Sequence, residues 1–166
     1  MQPVAELEPD VLIERQRKTI AEHVIHEQNK DWPSVYGTFT PHEDDAYIDI
    51  VPFQTRFSKM HGVVDFYQTF ASAFPDFEII VHTEHDLPGI SIREVQIEAT
   101  HKGEYCGLAA TDRRVSLPLM AFFLFDKRTG HLNAERIYFY NNTVLAQIRG
   151  ELTREGVFNL ARIEGR

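Results

Sequence analysis

Residues 115–125 read Val-Ser-Leu-Pro-Leu-Met-Ala-Phe-Phe-Leu-Phe, and this stretch decides the fold. Alternate side chains of an extended strand point to opposite faces of a sheet. Two apolar sets result, with Leu117, Leu119, Ala121 and Phe123 on one face and Met120, Phe122 and Leu124 on the other. A strand with two apolar faces is typical of burial on both sides. We therefore expect one face to cover the core and the other to form a homodimer interface.

The rest of the chain predicts helices first and hairpin-linked strands afterwards. The clearest helix covers residues 62–74, where apolar side chains recur at helical spacing until Pro75. Further helices are predicted at 9–29, 31–39 and 142–148, and further strands at 46–51, 77–85, 91–101 and 132–140. Short connections between the later strands favour an antiparallel sheet. The fold class is α+β, with the helices packed on one face of the sheet.

Composition narrows the classes of partner. The chain has 166 residues and a formal net charge of -8, which disfavours nucleic acid and anionic membranes as partners. No apolar run approaches the ~20 residues of a membrane span, and the amino terminus has no signal-peptide pattern. Cys106 is the single cysteine and cannot form an internal disulfide. We expect a cytoplasmic protein.

The chain length fits one domain, which we place at residues 1–162. Residues 163–166 read Ile-Glu-Gly-Arg, the recognition sequence of a protease used to remove purification tags. We interpret these residues as a scar of that kind and exclude them from the fold.

Several stretches of the chain can be compared with known families: residues 45–52, 62–76, 100–104, 111–114 and 135–139, with Gln147 near the end. Together they resemble the SnoaL-like polyketide cyclases of the nuclear transport factor 2-like superfamily. The resemblance covers roughly residues 12–150. It implies a conical fold in which a curved antiparallel sheet wraps around the N-terminal helices and encloses a cavity for a small hydrophobic molecule. One such cone can host several reactions or binding alone, so the function must come from the cavity.

Asp49 is the first candidate for a general base, because its strand position corresponds to one that lines the cavity in the relatives. Tyr47 lies two residues away on the same face and could donate a hydrogen bond to a developing oxyanion. Burial in an apolar cavity would raise the pKa of a carboxyl group towards the working pH. The alternative is a surface Asp near the edge of the sheet.

Glu135 and His101 are the other candidates for acid–base chemistry. Glu135 shares a strand face with Ile137 and Phe139, although Glu135 and Arg136 could instead form a solvated strand end. His101 titrates near neutrality when unperturbed, and a hydrogen bond that anchors a loop is its alternative role.

The resemblance places Ile137 where related enzymes commonly have a catalytic carboxylate, and Phe123 where some cyclases have a catalytic His. Together with other apolar positions they give a predicted substrate-binding set of Phe66, Phe70, Leu117, Leu119, Phe123, Ile137 and Phe139. The sequence leaves open whether the polar face of Glu94, Gln96 and Glu98 looks into the cavity or into solvent.

We expect no cofactor and no metal. His82 and His85 lie on opposite faces of their strand, and His23 and His26 share a helical face with Glu27 but lack further ligands. No phosphate-binding or dinucleotide motif is present.

The sequence as a whole favours a cofactor-free cyclase, isomerase or lyase that acts on a hydrophobic carbonyl or polyketide-like compound. The main alternative is a non-catalytic ligand-binding or protein-interaction protein of the same fold, favoured by Ile137 and Phe123. A third possibility is an epoxide or ester hydrolase, which would need two carboxylates that flank a bound water.

Overall fold

The protein is described here by a computed structural model over residues 5–158, so the predicted scar at 163–166 lies outside the described residues. The helices are α1 (Pro9–Asn29), α2 (Trp32–Gly37), α3 (Lys59–Ala73) and α4 (Asn141–Arg149). The strands are β1 (Tyr47–Ile50), β2 (Thr55–Ser58), β3 (Glu78–Leu87), β4 (Ile90–Thr100), β5 (Arg114–Phe125) and β6 (Leu132–Phe139). The predicted α+β order is confirmed. Strand β2 was not predicted, because four residues with three exposed side chains carry no apolar alternation.

The six strands form one open, curved sheet in the order β2-β1-β6-β5-β4-β3. Strands β3 to β6 pair antiparallel, as the short connections predicted. Strand β1, however, runs parallel to β6, so the prediction of a fully antiparallel sheet is wrong and the sheet is mixed. The direction of β1 is not constrained by a short turn, because β2, α3 and three further strands separate it from β6 along the chain.

Helix α1 packs on the sheet through a stripe that combines apolar and polar side chains. Its buried residues are Leu12, Gln16, Ile20 and His23, which recur at helical spacing. The Gln16 amide donates to Ser91 Oγ at 2.8 Å and accepts from the Gly89 backbone N–H at 2.8 Å. These hydrogen bonds satisfy a buried amide and fasten the β3–β4 turn to α1.

The two faces of β5 differ in their surroundings. On the inner face, Leu117, Ala121 and Phe123 are buried in the core. On the outer face, Met120 is 37% exposed and its register partner Tyr138 is 42% exposed. The outer face is therefore apolar but only partly covered within one chain, and the homodimer stays a prediction.

The polar face of β4 lies on the outer side of the sheet. Glu94, Gln96 and Glu98 pair in register with Met120, Pro118 and Ser116, whereas Val95 and Ile97 line the inner side. Ser116 Oγ accepts from the Gln96 amide at 2.7 Å, and Arg154 pairs with Glu98 at 2.7 Å. This polar face therefore points away from the cavity, but Gln96 and Glu98 are buried there and do not face solvent.

The loop between β4 and β5 is fixed where it passes the end of α3. The backbone N–H groups of Lys102 and Gly103 donate to the Ala73 carbonyl at 2.9 and 3.2 Å. A Cβ atom at position 103 would lie 2.1 Å from the Ser72 carbonyl oxygen. Only glycine permits this approach, because a backbone atom cannot rotate out of the way.

We expect Gly103→Ala to lower the free energy of unfolding by roughly 1–3 kcal/mol, the usual cost of overpacking a tight site. Gly37→Ala is the matched control, because a Cβ there would meet nothing within 4 Å. Urea denaturation of both variants measures the difference. Equal stabilities would contradict the close approach of the loop to α3.

Candidate active site

A cavity of about 350 Å³ lies between the helices and the inner face of the sheet. Its wall is mainly aromatic and aliphatic, and it includes every residue of the predicted substrate-binding set: Phe66, Phe70, Leu117, Leu119, Phe123, Ile137 and Phe139. The lining residues Phe53, Glu104 and Cys106 are exposed, and we refer to these three as the mouth. The cavity therefore has an exposed end, which includes one carboxylate, Glu104, and a buried remainder.

Three polar side chains meet at the buried part of this cavity. Glu135, on β6, and Tyr67, on α3, line the cavity and are almost fully buried. The Tyr67 hydroxyl donates to Glu135 Oε1 at 3.1 Å. His23, on α1, lies behind them with Nε2 at 2.8 Å from the same oxygen and 3.0 Å from the Tyr67 hydroxyl. We call His23, Tyr67 and Glu135 the polar cluster.

The hydrogen bonds of His23 fit the imidazolium form of its ring. Nδ1 lies 2.7 Å from Thr38 Oγ1, and that hydroxyl donates its own hydrogen to the Val35 carbonyl at 2.7 Å. Thr38 must therefore accept from Nδ1–H, while Nε2–H points to Glu135. Both ring nitrogens then act as donors.

The pKa of His23 also favours the imidazolium form of the ring. Burial alone would lower this pKa, but the carboxylates of Glu27 and Glu135 outweigh it and raise the pKa to about 10. Glu27 lies one helical turn after His23, with Oε1 at 3.6 Å from Nε2, and also lines the cavity. Burial and the same carboxylates raise the pKa of Tyr67 well above its usual value, so its hydroxyl stays protonated at neutral pH.

The prediction that Asp49 and Tyr47 line the cavity is wrong. They share a face, as alternation predicted, but Ile48 and Ile50 take the inner positions of β1 and Ile50 lines the cavity. Arg56 donates to both Asp49 carboxylate oxygens at 2.6 and 2.9 Å, and Arg136 adds a third hydrogen bond at 3.1 Å. These hydrogen bonds, led by those from Arg56, lower the pKa of Asp49, and the Arg56 guanidinium also covers the Tyr47 ring.

His101 is buried but does not line the cavity. Its Nδ1 lies 3.0 Å from Thr111 Oγ1, and its backbone carbonyl accepts from the N–H groups of Thr111 and Asp112. Burial lowers the pKa of its ring, so it is neutral at pH 7. This arrangement corresponds to the alternative role of His101 as a loop anchor.

Of the predicted acid–base residues, Glu135 is the one that the structure places in the cavity wall. His23, Glu27 and Tyr67 were not predicted as partners of Glu135. A usable signal existed for His23, because it follows Leu12, Gln16 and Ile20 on the buried stripe of α1. Within residues 5–158, no group of His, Cys, Asp and Glu is arranged to hold a metal ion, and no helix is long and apolar enough to cross a membrane.

Comparison with solved structures relates this architecture to known proteins. A protein from Jannaschia sp. CCS1, provisionally named a SnoaL-like polyketide cyclase, superposes with a TM-score of 0.73 at 14% identity over 89% of this chain and 95% of its own. AclR from Streptomyces galilaeus, provisionally named a hydroxylase, gives 0.70 at 20% identity over 84% and 98%. An LEH-like epoxide hydrolase from M. tuberculosis gives 0.64 at 15% identity over 83% and 92%.

The chain has the SnoaL-like fold. The resemblance seen in the sequence is therefore confirmed at the level of the fold. No family model matches the chain, and no curated protein matches its sequence significantly. The solved structures that share this fold carry names from different reaction classes, so the fold leaves the reaction of this chain open.

We expect the His23 ring to remain charged at about pH 8, where an ordinary His is neutral and where His101 is neutral as well. Long-range ¹H–¹⁵N NMR spectra of the ring nitrogens distinguish the two forms.

The ion pair between His23 and Glu135 should also make the stability of the fold depend on pH. Because the folded pKa of His23 is raised, the ion pair stabilises the fold fully below pH 6.5, and this contribution is lost as the pH rises to about 10. Glu135→Gln should lower the His23 pKa, so that less stability is lost as the pH rises from 6.5 to about 10. A neutral His23 ring at pH 8 in the unchanged protein would contradict the ion pair.

Proposed function

We propose that this chain is a cofactor-independent acid–base enzyme that acts on a small hydrophobic carbonyl or polyketide-like compound. The reaction would be an aldol cyclisation, an isomerisation or a dehydration. The observation that carries the proposal is the position of Glu135, a carboxylate held by two hydrogen-bond donors in the wall of an apolar cavity. All these reactions need a base aimed at a C–H bond and a donor for the oxyanion that develops.

Glu135 is the proposed base. His23 and Tyr67 both bind its Oε1, and among residues 5–158 no hydrogen bond to its Oε2 is seen. Oε2 is thus the oxygen that can accept a proton from the carbon next to a substrate carbonyl. The fixed Oε1 holds the carboxylate in place during that transfer.

Tyr67 is the proposed donor to the oxyanion. Its raised pKa keeps the hydroxyl protonated, and the hydroxyl lies in the cavity wall beside Glu135. As Glu135 becomes neutral on taking the proton, the hydroxyl can donate to the new negative charge on the substrate instead. His23 does not line the cavity, so it is a positioning residue that holds Glu135 through the ion pair.

Glu135 also offers a replacement for the carboxylate that the resemblance places at position 137. Both side chains line the cavity from the same face of β6, two residues apart. Phe123 lies directly opposite Glu135 on β5. The proposed base is therefore displaced by one pleat, about 7 Å along the strand, from the usual position.

Proton exchange tests this mechanism without knowledge of the natural substrate. We expect the protein to accelerate deuterium incorporation into 2-tetralone, a bicyclic ketone, in D₂O. Glu135→Gln keeps the shape of the side chain but removes the base, so the rate should fall by roughly 10²- to 10⁴-fold. Mass spectrometry of the recovered ketone measures it.

Asp49→Asn is the contrasting variant in the same assay. It breaks the ion pairs with Arg56 and Arg136 on the outer face, so stability should fall while the exchange rate of the folded protein holds. Full exchange in folded Glu135→Gln protein would remove Glu135 from the mechanism. No exchange with the unchanged protein would favour the non-catalytic ligand-binding alternative.

Hydrolysis of an epoxide or ester is the second candidate, and one observation favours it. Glu27 and Glu135 both line the cavity and lie 3.6 and 2.8 Å from the same His23 nitrogen. Two carboxylates so placed could flank a bound water. Hydrolysis of an aryl epoxide that requires both Glu27 and Glu135, without exchange into 2-tetralone, would favour this function over the first.

We also propose that the protein forms a homodimer through the outer face of the sheet. Ile80, Ile90, Met120 and Tyr138 are each 37 to 42% exposed on this face, and the Phe122 and Tyr138 rings contact each other there. Glu94 and Gln96 of β4 lie between Ile80 and the other three residues, but large apolar side chains left exposed on one sheet face are typical of an interface.

We expect a dimer in sedimentation experiments at micromolar concentration and a monomer for Met120→Lys, because an unpaired charge in an apolar contact costs several kcal/mol. Ile25→Lys is the matched control, since Ile25 is 57% exposed on α1, outside the proposed interface. A monomer for the unchanged protein would refute the interface.

A further inference from the structure

The charged groups around the cavity are unbalanced in favour of negative charge. Three carboxylates line it: Glu27, Glu104 and Glu135. Among the described lining residues, Arg93 is the one Lys or Arg, and His23 lies just behind the wall. Whether the cavity can hold an anion therefore depends on how far these two cations are already used.

Arg93 is fully engaged by the protein. Its Nη1 lies 2.9 Å from Asp86 Oδ1 and donates to the Ile92 carbonyl at 2.9 Å, while Nη2 lies 3.5 Å from Glu84. Asp86 also pairs with Arg17 at 2.8 Å. The side chain of Arg93 is 3% exposed, so turning it towards a ligand would strip a buried charge of its partners.

His23 is engaged as well, because one imidazolium serves two carboxylates. Glu135 lies at 2.8 Å from Nε2 and Glu27 at 3.6 Å, and Nδ1 is bound by Thr38. Glu104, at the mouth, forms no ion pair with any residue in 5–158. A ligand that enters through the mouth thus passes the unpaired Glu104 carboxylate. It then reaches the polar cluster, where the single positive charge of His23 is shared by the carboxylates of Glu27 and Glu135.

We propose that the cavity selects uncharged apolar ligands and excludes carboxylates, so that the substrate is a neutral carbonyl compound and not an organic acid. A carboxylate would lose its hydration in an apolar wall and find no free cation in return. A ketone or ester loses little on entry and can accept from the Tyr67 hydroxyl. The inference rests on the proposed function, because it takes the same cavity as the substrate site.

Three ligands with one bicyclic skeleton test the selection: 2-tetralone, the carboxylate 1,2,3,4-tetrahydro-2-naphthoate, and protonated 2-aminotetralin. Titration calorimetry at neutral pH and low ionic strength compares their affinities, since salt screens the carboxylate at the mouth. We expect 2-tetralone to bind at least about tenfold more tightly than the carboxylate, the size expected for one uncompensated charge pair at partial screening. If the ammonium compound binds more tightly than 2-tetralone, the cavity carboxylates bind a cation. This result would overturn the proposal that the cavity selects uncharged ligands.

The Glu104→Gln variant tests whether the negative charge of Glu104 contributes to the exclusion of carboxylates. It should strengthen binding of the carboxylate about threefold or more and change binding of 2-tetralone by much less. Glu22→Gln removes the same charge from the exposed face of α1 and should change neither affinity. Equal affinities of ketone and carboxylate for the unchanged protein, or no binding by any of the three, would overturn the inference.

The binding experiment tests charge selection and the exchange assay tests the proposed base, so either claim can be refuted while the other holds. Binding needs no turnover, so loss of exchange in Glu135→Gln together with equal binding of ketone and acid would refute charge selection but keep the proposed base. Selective binding without exchange would refute the enzyme and keep the ligand class.

Discussion

The ion pair between His23 and Glu135 is the interaction on which the rest of the structure depends. It joins α1 to β6, and the hydroxyl of Tyr67 adds α3 to the same point. Two charges removed from water are tolerable only when they are paired, and Thr38 also binds the second ring nitrogen of His23, Nδ1. Together with the hydrogen bonds of Gln16 to Ser91 and Gly89, this contact holds the helices on the inner face of the sheet.

The same pair also allows a carboxylate to stand in an apolar cavity. A charged group without a partner is costly to bury in an apolar wall. The His23 imidazolium behind Glu135 gives this carboxylate a charged partner at 2.8 Å while the cavity in front is apolar. The interaction that stabilises the fold is thus the one that prepares the proposed site.

Asp49 and Glu135 show how the environment of a carboxylate separates a structural role from a proposed chemical one. Both are paired with cations, and they lie on neighbouring strands. Asp49 faces outwards between two arginines, and its pKa is lowered. Glu135 faces the cavity and shares its partner with Glu27. Similar residues in one sheet therefore differ in what they can do because of the face they occupy.

The sequence by itself determined every α-helix and strand except β2, together with the apolar wall of the cavity. Periods of two and 3.6 residues are local properties, so β5, α3 and the residues that share each face could be identified before the structure. Alternation also groups Tyr47 with Asp49, but it does not say which side of the sheet a group faces. Tertiary structure decided that point, because the parallel pairing of β1 with β6 turns Ile48 and Ile50 inwards. It also decided the site, because His23, Tyr67 and Glu135 are far apart in the chain and their contact depends on how α1 and α3 pack on β6.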